Sequence, residues 1–255
     1  MPEPATGSAW RGNAEIGLGW GYFYGHVGDN QPHSHHAVQI CWSPSPMRLW
    51  IFGAGWLDCL GIVIGPDVAH QLMEAEQAVT LVFLEAEHDD GRLIVRNLAK
   101  GWCELSFAEV SELEKWQLQA GQSPAVQKVL EVLRLGSRLD AKPVDDFLVR
   151  GLIQKLPSLL SEKIGVQQLA DLAHLSPSRL QHRFARHTGM AVRPYLLWLR
   201  LLTAIAAIGR NTTLTDAALE AGFADSAHFS RTFRRRFGFA PRQLLQIGLS
   251  AQGRK

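Results

Sequence analysis

A two-domain α+β chain, strands first and helices after, follows from three features of the sequence. From about residue 15 to residue 102, short β-branched and aromatic runs alternate with glycines, prolines and polar clusters, the spacing of an all-β sandwich or antiparallel barrel. From Phe107 onward apolar residues recur at helical intervals, and after residue 164 a helix, short turn, helix pattern is written twice. Charge divides the same way: 13 Lys and Arg stand against 20 acids through residue 163, then 13 against 4. A length of 255 residues with 46% apolar content can bury the core of one large or two modest domains.

Taken in order, residues 1–14 are rich in Pro, Gly, Ser and Ala and read as a frayed lead-in. Strand-length runs follow at 19–24, 37–42, 49–52, 59–64 and 79–84. Six of the eight tryptophans lie within the first 102 residues; because that region is acidic, they read as core or pocket walls rather than stacking platforms for bases. Next, Phe107, Val110, Leu113 and Trp116 make one helical stripe, Val126, Val129, Leu130 and Leu133 a second, and Val144, Phe147, Leu148, Gly151 and Leu152 a third. Pro157 is expected to break or kink that last helix. These helices fit either packing onto the strands or a dimer interface.

The basic C-terminal part carries the most specific pattern. Residues 166–173 read as a helix, His174 and Leu175 as a turn, and Ser176-Pro177 as the N-cap and first residue of the next helix. Leu180 and Phe184 form its buried pair, and Gly189 ends it. Those three residues stand 49 positions before Phe229, Phe233 and Gly238, while Ala170 and Ala173 stand 48 before Ala218 and Ala221. The second unit is therefore a copy with one extra residue in its turn, where Gly222 allows the bend and Asp225 caps the helix carrying Phe229, Phe233 and Phe237. An arginine-bearing second helix after a short turn is the layout of a DNA-reading unit. Between the copies, the apolar run from Pro194 to Ile208 would span about 22 Å as a helix, a strut for units about one DNA turn apart and too short to cross a bilayer.

These residues resemble the AraC family of bacterial transcription regulators. The match rests on Leu169-Ala170, the run from Leu175 to Leu180, Phe184, Gly189, Tyr195 and Arg200 in the first unit. In the second it rests on Ala218, Ala221-Gly222-Phe223, Phe229-Ser230-Arg231, Phe233, Gly238 and Pro241, about 164–247 in all. The resemblance implies two helix-turn-helix units that enter successive major-groove segments of double-stranded DNA. Ser178, Gln181 and His182, with Arg179 beside them, share the exposed side of the first reading helix, and Ser226, Ala227, Ser230 and Arg231 hold that place in the second. Gln181 suits adenine and Arg231 suits guanine, while Arg186, Arg234, Arg235 and Arg236 lie where phosphates are clamped.

In such regulators the N-terminal segment is commonly a cupin-like barrel that senses a small molecule. Here His33-Ser34-His35 followed by Gln39 resembles a first cupin metal motif with glutamine in place of glutamate, and residues 65–70, ending in His70, resemble a shortened second motif. On a strand, positions 33, 35 and 39 share one face and His36 takes the other. His33, His35, Gln39 and His70 are thus expected to hold either a divalent metal or the polar end of an effector, or else to be hydrogen-bonded remnants of a metal site; no cofactor is required. The chain divides as 1–105, an effector-sensing barrel; 106–157, linking helices with a dimerisation role open; and 158–255, an all-α DNA-binding domain. Cys41, Cys59 and Cys103 are odd in number and lack metal-type spacing, so reduced thiols are expected. With no leader or spanning stretch read in the sequence, the expectation is a cytoplasmic regulator, an activator, with RNA polymerase as a further partner and a homodimer as its assembly. The competing class is a metal-dependent cupin enzyme, such as a dioxygenase, with a helical appendage.

Overall fold

The structure, a computed structural model, describes residues 8–17, 19–75, 77–120, 126–136, 146–160 and 164–251. It falls into two compact units: residues 1–141 together with 233–255, and residues 142–232.

The first unit is built on one eight-stranded sheet. Its strands are β1 (Arg11–Gly17), β2 (Trp20–His26), β3 (Ala37–Ile51), β4 (Gly55–Ile64), β5 (His70–Leu72), β6 (Val79–Glu85), β7 (Trp102–Glu104) and β8 (Gly248–Ala251). They run in the order β7-β4-β3-β6-β2-β1-β8, with β5 also on β3. Among the described residues the expected barrel is not closed, because β7 and β8 stand at opposite ends of the strand order and do not pair with each other. Nor is the sheet wholly antiparallel, since β8 pairs parallel to β1. The lead-in is shorter than its composition indicated: residues 11–14 pair with Tyr24 to His26 and Phe23 as part of β1.

Alternation along β3 sends its side chains to two cores. Val38, Ile40 and Trp42 join the face covered by helices, and Cys41, Met47, Leu49 and Ile51 join the other. The register slips between Trp42 and Met47, where Pro44 and Pro46 withhold two ladder donors. Helices α1 (Asp89–Asn97), α2 (Phe107–Ala120) and α3 (Val126–Gly136) supply the helical face through Ile94, Val110, Leu113, Val129, Leu130 and Leu133. Packing onto the sheet thus accounts for α2 and α3. Phe107, expected in the buried stripe, is exposed. Ser106 and Glu109 close a capping box, with the Ser106 backbone N–H donating to Glu109 Oε2 at 2.7 Å and the Glu109 N–H to Ser106 Oγ at 3.3 Å. Phe107 is then the first helical residue and turns outward.

The second unit holds α4 (Phe147–Leu159), α5 (Val166–Leu172), α6 (Pro177–Thr188), α7 (Val192–Gly209) and α8 (Leu214–Glu220). Helix α9 (Ser226–Phe237) begins in this unit and ends in the first. Helix α4 buries Val149, Leu152 and Leu156 and leaves Phe147 exposed just past its N-cap. It continues through Pro157 to Leu159, because proline in the last turn removes a bond near the frayed end rather than mid-helix. Val144 and the side chain of Val126 lie outside the described residues. Helix α7, with 18 residues, is long and apolar enough by composition to cross a membrane. Its Tyr195, Trp198, Leu201, Ala204 and Ile208 are instead buried, as in the core helix of a soluble bundle.

Candidate nucleic-acid interface and histidine site

The repeat is as exact in structure as in spacing. Helices α5 and α8 both have 7 residues, and α6 and α9 both have 12. The turn in each copy is closed by the same bond: Leu175 N–H donates to the Ala170 carbonyl, and Phe223 N–H to the Ala218 carbonyl, both at 2.9 Å. Each reading helix has the expected cap. Arg179 N–H donates to Ser176 Oγ at 3.3 Å, and His228 N–H to Asp225 Oδ1 at 2.6 Å. Gly189 ends α6 at φ 79°, a left-handed position that favours glycine. Leu180, Phe184, Phe229 and Phe233 are buried, and this fixes which side of each helix faces water.

That side carries the candidate readers. Ser178, Arg179, Gln181, His182 and Arg186 on α6 are exposed, as are Ala227, Arg231, Arg234 and Arg235 on α9, with Ser226 and Ser230 half-buried. Arg236 differs. Its guanidinium Nη1 donates to the Ser34 carbonyl at 3.4 Å and lies 3.6 Å from Asp67 Oδ1, so it is engaged within the first unit. Asp146, missed in the sequence reading, anchors α6 to α4. It caps α4 by accepting from Val149 N–H at 3.2 Å and takes two 2.7 Å bonds from Arg183 Nε and Nη2. The Arg183 hydrogen bonds hold its carboxyl below the usual aspartate range.

The other candidate residues converge in the first unit. A ligand nitrogen from each of His33, His35 and His70 lies within 4.8 Å of the others, and Gln39 Oε1 is 3.0 Å from His35 Nε2 and 3.3 Å from His70 Nε2. They do not meet by strand alternation, since β3 starts only at Ala37. Instead His33 and His70 exchange backbone bonds, with His33 N–H to the His70 carbonyl at 3.0 Å and His70 N–H to the His33 carbonyl at 2.9 Å. His36 turns away, as expected, toward Asp67 at 3.1 Å and Glu87 at 3.8 Å. Burial, then the neighbouring His35, pulls His33 down to about 3, and burial likewise lowers His35 and His70. All three imidazoles are therefore neutral at physiological pH. Burial works to raise Asp67, but the hydrogen bond and charge of His36, then Arg236, outweigh it and hold that carboxyl low.

The cluster lines a cavity of about 30 Å³, with Trp10, Asn30, Leu72, Leu81, Phe83, Phe237 and Phe239 as its other walls. Phe237 and Phe239 come from the C-terminal segment, which sequence reasoning assigned wholly to DNA binding. Cys41 and Cys59 are buried and free, and Cys103 is free and exposed. Burial pushes the Cys41 thiol up, Cys59 up to about 11, and Cys103 up as well, so none is poised as a thiolate.

Comparison with known proteins agrees with the tandem reader. A family model described as a helix-turn-helix domain matches residues 169–247. The transcriptional activator RhaS of Escherichia fergusonii is 32% identical over 139 residues, which cover 54% of this chain and 50% of RhaS. RhaS of an Enterobacter species is 33% identical over 129 residues, 50% of this chain and 46% of its own. The chain thus spans about half the length of the curated relatives it matches. Across nearly the whole chain the fold is similar to that of apo ToxT from Vibrio cholerae, with a TM-score of 0.63 at 13% identity, covering 90% of this chain and 98% of ToxT. With both turns, both caps and both buried pairs in register, residues 169–247 form a duplicated helix-turn-helix region similar to that of the RhaS transcriptional activators.

Proposed function

We propose that the protein is a sequence-specific transcription activator whose DNA binding is controlled by a small molecule or metal held at the histidine cavity of the first unit. The observation that carries this reading is the pair of capped reading helices, α6 and α9, whose exposed sides bear Gln181, His182 and Arg231 on a strongly basic segment. Gln181 reads adenine and Arg231 guanine by paired hydrogen bonds, and Arg186, Arg234 and Arg235 hold phosphates. Similarity to RhaS, named as an activator, supports the positive sign of control. Activation brings RNA polymerase in as a partner, and the protein works in the cytoplasm, where the DNA is. A homodimer would place four reading helices along the operator.

ToxT has been solved with an unsaturated fatty acid bound, and an organic acid is the alternative occupant of the first unit here. The test is a gel shift and footprint of the full chain on the upstream region of its own gene. A protected tract with two contact segments about one helical turn apart is expected. Uniform, sequence-independent retardation would overturn the reading.

A further inference from the structure

We infer that the cluster of His33, His35, His70 and Gln39 is a site for one divalent first-row transition ion, and that the ion holds the C-terminal segment 236–239 against it. This rests on the regulator reading above and names the occupant and the device of the same site. Three observations carry it.

The first is the tautomer. In each ring Nδ1 lies against a backbone carbonyl two residues away: Gln31 at 2.8 Å for His33, Ala37 at 3.1 Å for His35, and Val68 at 2.9 Å for His70. Those acceptors keep the proton on Nδ1 and turn Nε2 into a lone pair, the outer support that metal-binding histidines share. Gln39 presents its oxygen to two of those nitrogens. Acceptors facing acceptors repel, and a cation between them converts the repulsion into binding. Imidazole nitrogens with an amide oxygen suit zinc, iron, nickel or copper.

The second is size. A cavity of about 30 Å³ fits an ion or a water, whereas organic ligands occupy pockets of about 300 to 1,000 Å³. Asn30, buried in its wall, has an Oδ1 without a hydrogen-bond partner, a further sign of a site made for a donor or cation.

The third is the wall. Gln31, whose carbonyl orients His33, donates its own N–H to the Gly238 carbonyl at 2.8 Å. A Cβ on Gly238 would stand 2.6 Å from His33 Nδ1, so only glycine permits this approach. Asp67 N–H donates to the His35 carbonyl at 2.8 Å, and Asp67 also pairs with Arg236. The histidine loop is therefore gripped by Gly238 at one end and by Arg236, through Asp67, at the other. Residues 236 and 237 are the last of α9, which also carries Arg231 and Arg234.

The test uses the full chain, stripped with chelator and titrated with Co²⁺ and Zn²⁺. One ion per chain is expected, with a visible Co²⁺ absorption band and a rise in Tm. His35→Ala and His70→Ala should each lose at least about tenfold in ion affinity. Because either variant can unfold the unit, Gln39→Glu is the decisive partner: it should retain or tighten the ion. Absence of stoichiometric ion in the wild type overturns the proposal. So does a Gln39→Glu protein that loses Tm and gains no ion, because the Gln39 amide then donates to the imidazoles. For the device, DNA affinity is measured with the ion removed and restored, in the wild type and in Phe239→Ala. A several-fold response in the wild type, diminished in the variant, is expected. DNA affinity indifferent to the ion overturns the device and leaves the regulator reading intact. No DNA binding in any state strikes the regulator reading, while the ion titration stands by itself.

Discussion

At the residue scale, two side chains carry distinct tests. Arg231 is exposed midway along the second reading helix, one turn after its first residues. Arg231→Ala should abolish a guanine preference at one operator position, a loss of about 1 to 3 kcal/mol in discrimination. Site selection with the variant checks this, and a uniform loss of affinity with unchanged base preference would reduce Arg231 to a phosphate contact. Asp146 is a stability residue. Arg183 and the Val149 N–H hold its folded-state carboxyl low, so its contribution is complete above the ordinary aspartate range and disappears as pH falls through the folded value. Asp146→Ala should cost about 1 kcal/mol at neutral pH from the lost cap alone. The difference from wild type should begin to shrink in melts taken below about pH 4 and narrow further as pH falls through the lowered folded-state value.

The elements depend on their ends. Helices of 7 and 12 residues are marginal in isolation, so capping and the buried pair together set α6. Removing the cap with Ser176→Ala should cost about 1 kcal/mol in chemical denaturation. Gly189→Ala should cost a similar amount, about 1 kcal/mol, because a Cβ is strained at the left-handed φ of 79°. In neither variant does the exposed side of α6 change, so the preferred operator sequence should be retained at reduced stability. A changed base preference in either would mean that the cap or the stop also sets the docking angle of the helix.

For the whole molecule, charge is the governing quantity. A net +2 conceals 13 cations against 4 acids from residue 164 onward. Operator binding should therefore weaken steeply with salt, by about 10³ to 10⁵ between 50 and 200 mM if six to ten phosphates are neutralised. Gel shifts over a potassium chloride series measure the slope. A flat response would show that the basic surface does not meet the DNA backbone. Replacing Arg234 and Arg235 together with glutamine should flatten the slope by about two contacts while leaving base preference unchanged. Arg236→Gln should not flatten it by a further contact, since that guanidinium is engaged with Ser34 and Asp67.

Local chemistry made the reader legible in the sequence. Caps at Ser176 and Asp225, the stop at Gly189, the buried pairs at four-residue spacing and the offsets of 48 and 49 are short-range quantities, and each reappears as a bond or a buried ring in the structure. The strand runs were legible for the same reason; His36 does turn away from His33 and His35, but in the segment before β3 rather than by strand alternation. Closure of the sheet was not, because whether β7 and β8 meet depends on strand order across the chain rather than on any run of residues. Phe107 and Phe147 were misjudged because periodicity alone does not say where a helix begins, and the capping residues before them turn both outward. Only tertiary structure brought Phe237, Gly238 and Phe239, some two hundred positions along the chain, to the wall of the histidine cavity. A contact at that separation rests on glycine's small size and on the pairing of Arg236 with Asp67, neither of which leaves a periodic trace in the sequence.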